Sequence, residues 1–203
     1  MKKIILLSLC LSNTLLQTNQ AQNNSIIAGQ NILNFQYTVM DISRMYYKNV
    51  EYADAKDLHV GGFAPIGLVF EHVVSEKFGF GLDLSYGQTN ISYTQKTNSY
   101  AYASKTYNYS MVSSTLAMGL RMNFHFVNTR NFNAYSFLTG GYRSVKNVYS
   151  SNQPEYDNHT DVSPIPIGIK AGIGLRYFSG NMGLYTELAL ATQFLNFGLS
   201  FKL

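Results

Sequence analysis

Acidic and basic side chains stand at alternate positions in segments whose other positions are apolar. They are Glu71, Asp83, Arg121, His125, Lys170, Arg176 and Glu187. If each segment is a β-strand, these residues lie on one face, because successive side chains point to opposite sides. Charges removed from water pair with opposite charges, since an isolated buried charge is costly. We therefore expect an internal polar network in which Asp83 pairs with Arg121. A second, diagonal pair joins Lys170 to Glu187.

This polar network allows two functional interpretations. Facing charges around an open channel would form a selectivity constriction for ions or small solutes. The strand pattern of this chain, however, predicts an eight-stranded barrel. The interior of such a barrel is just wide enough for its own side chains. We therefore favour charges that fill the interior and hold the barrel closed, and a narrow pore is the alternative.

A second group of titratable residues lies in a polar segment that also contains Pro and Asn. It comprises Glu155, Asp157, His159 and Asp161, and His59 lies in an earlier polar segment. A histidine among carboxylates at the rim of a barrel could serve a lipid- or peptide-modifying enzyme. Such a segment is more typical of a solvated loop tip. We expect no enzyme, and the sequence assigns no catalytic, cofactor-binding or metal site.

Period-two alternation predicts the strands that carry these residues. In the final FLNFGLSFKL, Leu195, Phe197, Leu199, Phe201 and Leu203 alternate with Asn196, Gly198, Ser200 and Lys202. Similar segments begin near Leu33, Ile66, Phe78, Leu116, Ala134, Ile165 and Gly183. With the C-terminal segment they make eight strands, of which AYSFLTGGY is the least regular.

Glycine indicates which face of these strands meets water. Gly79, Gly81, Gly172, Gly174 and Gly198 lie opposite the apolar residues. Glycine suits a crowded, curved interior better than an exposed strand surface. The apolar face then points outward, and a patch of this size requires lipid. Because lipid cannot satisfy free backbone groups, the sheet must close. The prediction is an all-β, eight-stranded antiparallel up-and-down transmembrane β-barrel.

Apart from the short last connection near 191–193, long and short connections alternate, as in barrels with one end facing a periplasm and the other facing outside. Long connections are predicted at 41–62, 90–109 and 144–163, and short ones at 74–77, 127–131 and 179–180. A two-residue Ser179-Gly180 turn keeps Arg176 and Glu187 on the inner face. An even-length turn after the fourth strand places Tyr135 and Phe137 on the outer face.

Tyrosine is concentrated at the predicted outer end of the barrel. The residues are Tyr46, Tyr47, Tyr52, Tyr93, Tyr100, Tyr102, Tyr107, Tyr109, Tyr149 and Tyr156. Aromatic girdles at the membrane interface account for part of this enrichment. The remainder could form a recognition surface, because Tyr offers contact area and a hydroxyl group at low entropic cost. A structural or surface-interaction role through these loops is the expected function, with an unknown extracellular ligand.

The N-terminal MKKIILLSLCLSNTLLQTNQAQ predicts a secretory signal peptide over residues 1–21, cleaved near Ala21, and a barrel domain over 22–203. Cleavage removes the only cysteine and two of the 15 basic residues, which leaves 13 against 11 acidic residues. This small excess without a basic cluster argues against nucleic-acid binding. Charged residues are only 13% of the chain, which is low for a soluble domain.

The signal ending in AQ, the alternating strands and the closing NFGLSFKL resemble the small outer membrane protein β-barrel domain family of Bacteroidota, related in architecture to the OmpA, OmpX and OmpW barrels. The resemblance covers the whole mature chain. It implies a monomer in the cell outer membrane whose partners are lipid and the barrel-insertion machinery, without a cofactor. Such families usually end in an aromatic residue, whereas this chain ends in Leu203. The implied insertion signal comprises Phe197, Leu199, Phe201 and Leu203.

Overall fold

A computed structural model describes residues 24–51, 55–99, 102–155 and 157–203, and strands dominate these ranges. They are β1 Asn31–Asp41, β2 Lys56–Ser75, β3 Phe78–Ser99, β4 Tyr102–Asn128, β5 Phe132–Ser151, β6 Thr160–Val162, β7 Ile167–Ser179, β8 Met182–Leu190 and β9 Gln193–Lys202. A short helix, α1 (Ile42–Tyr46), and a π-helical turn, Tyr47–Glu51, follow β1. No helix in the described ranges has the length and apolar character needed to cross a membrane.

The strands form one closed antiparallel sheet. Each strand pairs with its neighbour, and β1 pairs with β9, where Phe35 lies opposite Leu199. The short β6 and the longer β7 both pair with β5 along the same edge. Residues 163–166 (SPIP) separate them, because proline has no N–H group for the ladder. Since β6 and β7 occupy one position in the sheet, the molecule is an eight-stranded up-and-down barrel, and that prediction is confirmed.

The two faces of the sheet differ as predicted. Leu120 and Ile169 on the outer face are 73% and 71% exposed. Arg121, next to Leu120 in the chain, is 1% exposed inside the barrel, and Glu187 is 0% exposed. Large apolar side chains therefore cover the exterior, and the interior holds the charged side chains and glycines together with a smaller set of buried apolar and aromatic residues.

The orientation predicted for the fifth strand is wrong. Tyr135 and Phe137 are 0% and 4% exposed and point into the barrel. The register explains the error: Val127 pairs with Ala134, but His125 pairs with Tyr135, so β4 carries one extra residue at this point. A bulge of one residue exchanges the two faces of the strand beyond it. The length of the turn alone therefore gives the wrong face.

Glycines on β7 make room for these inward rings. A Cβ atom on Gly174 would overlap the ring of Tyr135. A Cβ atom on Gly172 would lie 2.9 Å from Cζ of Phe137. Gly172 and Gly174 therefore leave space for two aromatic side chains between the inward Lys170 and Arg176 of the same strand.

The connections are shorter than predicted, because paired strands continue past the rim of the barrel into the segments predicted to be loops. The expected long loop at 90–109 is largely a paired hairpin, in which β3 and β4 remain in register up to the Ser99 and Tyr102 pair. The turn between β7 and β8 has the predicted two residues, but they are Gly180 and Asn181. Gly180 has φ +66°, a backbone conformation that favours glycine. The even length places Glu187 opposite Gly174, on the inner face.

Residues 24–30 close the end of the barrel opposite the long hairpins. Ile26 is fully buried and packs with Ile32, Val73 and Phe178. The side chain of Asn128 fixes this segment, because its Oδ1 accepts from the Ile26 N–H at 3.1 Å and its Nδ2 donates to the Ile26 carbonyl at 2.8 Å. This end of the lumen is thus filled by a small apolar cluster.

Replacing Gly174 by Val should destabilise the barrel by about 2 kcal/mol, because the new side chain overlaps a fully enclosed ring. The matched change Gly140→Val adds the same atoms on the outer face of β5, where a Cβ atom meets nothing within 4 Å. Urea unfolding in lipid vesicles, followed by the mobility of unboiled protein on gels, measures both. Equal stabilities of the two variants would contradict the inward packing of Tyr135.

Candidate functional site: the polar interior

The strands bring all seven predicted polar residues into the lumen. Glu71 lies on β2, Asp83 on β3, Arg121 and His125 on β4, Lys170 and Arg176 on β7, and Glu187 on β8. Ion pairs divide them into two clusters, which we call the upper and lower clusters according to their distance from the long hairpins. Excluding His125, three carboxylates face three cationic side chains, so the formal charges balance.

Arg121 is the centre of the upper cluster. Its guanidinium donates to Glu187 Oε1 at 2.5 Å and to Asp83 Oδ2 at 3.3 Å. Its Nε donates to Asn123 Oδ1 at 2.9 Å. Lys170 Nζ lies 2.5 Å from Asp83 Oδ2. Arginine suits this position, because its fixed fork can serve several acceptors at once.

The pairing of Lys170 with Asp83 differs from the predicted pairing with Glu187. The register explains the difference, because Glu187 lies opposite Gly174, four residues along β7 from Lys170. That separation corresponds to about 13 Å along the strand. Lys170 instead reaches across the lumen to Asp83, and Arg121 takes Glu187.

Glu71 is the centre of the lower cluster. Its Oε1 lies 2.7 Å from His125 Nε2, and its Oε2 lies 2.8 Å from a guanidinium nitrogen of Arg176. His125 Nδ1 lies 3.2 Å from Asn133 Oδ1. All four side chains are buried. Because both carboxylate oxygens have cationic or titratable partners, the charge of Glu71 is offset within the lumen.

Tyr135 joins the two clusters. Its hydroxyl group donates to Glu187 Oε1 at 2.7 Å, and its ring lies 4.2 Å from the Arg176 guanidinium carbon. The ring of Phe137 lies 3.9 Å from the Arg121 guanidinium carbon. Both contacts are of the cation–π type. Sequence reasoning missed these two aromatics, although the unusual glycines at 172 and 174 could have indicated large rings opposite them.

The histidine and carboxylates of the outer rim do not converge on one point. His159 Nδ1 lies 2.9 Å from the Asp157 carbonyl oxygen, and His159 Nε2 lies 3.8 Å from Asp161 Oδ2. The ring of His159 stacks on Tyr149 at a centroid distance of 4.7 Å. Glu155 and His59 are exposed. In the described part of the chain, no three His, Cys, Asp or Glu residues are grouped so that they could hold a metal ion.

The tyrosines of the long hairpins are partly ordered by contacts with one another. Tyr93 stacks on Tyr109 at 5.3 Å, and the Tyr109 hydroxyl donates to Gln153 Oε1. Tyr46 and Tyr47, at α1, meet edge to face at 6.1 Å. Tyr52, Tyr100 and Tyr156 lie outside the described residues, and only the backbone of Tyr102 is described.

No protein-family model matches the chain, and no curated protein matches it in sequence. Among solved structures, the N-terminal β-barrel domain of Pseudomonas aeruginosa OprF is similar over 86% of this chain and 99% of its own, with 14% identity and a TM-score of 0.39. The outer membrane protein OprG from Pseudomonas aeruginosa is similar over 87% of this chain and 97% of its own, with 11% identity and a TM-score of 0.36.

Replacing Glu187 by Gln should lower the free energy of unfolding by about 3 kcal/mol, because Arg121 then loses a charged partner inside the barrel. Glu76→Gln, in the exposed turn between β2 and β3, removes the same charge without a buried partner and should leave stability unchanged. Urea titration of the two refolded variants against the parent chain measures the difference. A Glu187→Gln protein as stable as the parent would show that the ion pairs do not hold the barrel together.

Proposed function

We propose that this protein is an integral outer-membrane barrel that is anchored by its apolar exterior and acts through the hairpins it presents outside the cell. The lumen serves to hold the barrel closed. The single observation that carries the proposal is that the barrel combines a buried network of ion pairs inside with a continuous apolar surface outside.

The apolar outer surface of the barrel supports a location in the membrane. Its exposed apolar residues come from every main strand and include Phe35, Leu68, Phe80, Leu120, Leu138, Ile169, Leu188 and Leu199. Soluble monomers rarely expose a continuous apolar patch beyond several hundred Å². In lipid this surface is favourable, and the closed sheet satisfies the backbone groups that lipid cannot. The resemblance of the sequence to small outer-membrane barrels of Bacteroidota supports the same location.

The C-terminal strand supports recognition by the barrel-insertion machinery. Phe197 and Leu199 are exposed on the outer face of β9, and Leu203 ends the chain on the same side. Phe201 meets Phe35 of β1 edge to face at 5.8 Å, where the barrel closes. The proposed insertion signal therefore lies on the outer face of β9, the strand that closes the barrel by pairing with β1. Because one chain completes the barrel, we propose a monomer.

The paired hairpins support a surface role. Beyond the barrel wall, β3 and β4 continue as a ladder that includes the stacked Tyr93 and Tyr109. An ordered ribbon that presents aromatic side chains can contact a partner at low entropic cost. The exposed rim around His159 belongs to this surface in our proposal, and we assign it no catalytic role.

A narrow pore is the second candidate, since charges line the lumen. Conduction would require a continuous path past Arg121 and Glu187, which are 1% and 0% exposed. Breaking their contact would leave the buried carboxylate of Glu187 without its cationic partner, which opposes a stable open state. The geometry therefore favours the closed barrel.

Purified protein in planar lipid bilayers should show no stepwise conductance, because the ion clusters and the aromatic rings fill the lumen. A stable conductance that changes in Arg121→Gln, but not in the exposed-turn variant Arg130→Gln, would contradict the closed barrel and favour the pore. The unboiled gel mobility of each variant establishes that the inserted protein is folded.

A further inference from the structure

A cavity of about 300 Å³ lies in the lumen between the upper cluster and the long hairpins. Its wall includes small inward residues on three neighbouring strands, among them Gly119, Gly141 and Gly168. The polar side chains around it include those of Asp83, Ser85, Thr139, Arg143, Lys170 and Gln193. The lumen is thus packed in its middle and open above it.

Arg143 is the unusual residue of this cavity. The other two inward arginines, Arg121 and Arg176, each contact a carboxylate. By contrast, among the residues described, none forms an ion pair or hydrogen bond with the Arg143 guanidinium. The side chain is half-buried, and it lines both this cavity and an adjoining one of about 240 Å³. A cation partly withdrawn from water without a counter-charge favours an anion brought from outside.

Thr139 provides a second, independent observation. It is 7% exposed, and its hydroxyl group has no hydrogen-bond partner although it lines the cavity. A buried hydroxyl group without a partner costs free energy that a ligand can recover. Nearby, Gln193 Nε2 donates to Ser85 Oγ at 3.0 Å, so further polar groups face the same space.

The charges around the cavity define the ligand. Asp83 is already neutralised, because Lys170 and Arg121 both contact its carboxylate. Among the residues that line this cavity, the charge left without an ionic partner is the single positive charge of Arg143, which suits a monoanion; the carboxylate of Asp41 lines only the adjoining cavity. A carboxylate matches the guanidinium fork with two parallel hydrogen bonds. The unpartnered Thr139 hydroxyl suits a hydroxyl group on the same molecule.

We propose that the upper lumen is a binding pocket for a small hydroxylated carboxylate, such as a single sugar acid, taken from the extracellular side. The volume lies at the lower end of the range for ligand pockets. The adjoining cavity shares Arg143, Thr192 and Gln193 with the first and extends to Asp41 and Thr89 near the hairpins. The ion clusters close the lumen below, so the pocket retains its ligand without passing it through the membrane.

Isothermal titration calorimetry of the refolded barrel in detergent tests this pocket with sodium glucuronate, and with glucose as the uncharged probe. Glucuronate should give saturable binding, and glucose should bind more weakly by roughly tenfold or more, because it lacks the charge that Arg143 pairs with. Arg143→Gln should weaken glucuronate binding by a similar factor. Lys146→Gln is the matched control, because it removes a positive charge from an exposed position on the same strand.

Thr139→Val separates the hydroxyl contact from the charge. It should weaken glucuronate binding several-fold without lowering the stability of the barrel, since the hydroxyl group has no partner within the protein. Absence of saturable glucuronate binding at millimolar concentrations would overturn the proposal. So would equal affinities of the parent chain and Arg143→Gln, or equal affinities for glucuronate and glucose.

Discussion

The contacts that Arg121 makes with Glu187 and Asp83 are the interaction on which the rest of the structure depends. Taking a guanidinium and two carboxylates out of water is costly, and close pairing with additional hydrogen bonds offsets that cost. Asn123 and Tyr135 supply such bonds. The pairing joins β3, β4 and β8 across the lumen, so it constrains strands that are not neighbours in the sheet. These contacts span the interior of the barrel that the pairing of β1 with β9 closes.

Inside the barrel, side chains on neighbouring strands must match one another in size. Because the ring of Tyr135 occupies the lumen beside Gly174, a Cβ atom at position 174 would overlap that ring. Above this packed layer the inner residues become small, and the cavity beside Arg143 begins. The barrel therefore has a packed centre and a cavity above it.

The sequence predicts much of this fold because β-strand periodicity places alternate residues on opposite faces. That rule correctly places Asp83, Arg121 and Glu187 inside and the C-terminal leucines outside. It fails at Tyr135 and Phe137, since a bulge near Val127 leaves no mark in the residue count. It also misses the partner of Lys170, because pairing across a lumen depends on barrel geometry. The sequence pattern does not single out Arg143, because it borders a segment predicted to be a loop. It does not single out Thr139, because that residue lies in the strand with the least regular pattern.

In the membrane protein that we propose, the glycine-lined face surrounds the lumen and the apolar face meets lipid. The chain contains no tryptophan, so a Leu120→Trp variant carries a single reporter at an outward position that is 73% exposed. In vesicles, lipids brominated along their acyl chains should strongly quench its fluorescence. A tryptophan placed by Glu76→Trp in the exposed turn should remain largely unquenched. Water-like, unquenched emission from position 120 in the folded protein would contradict the account.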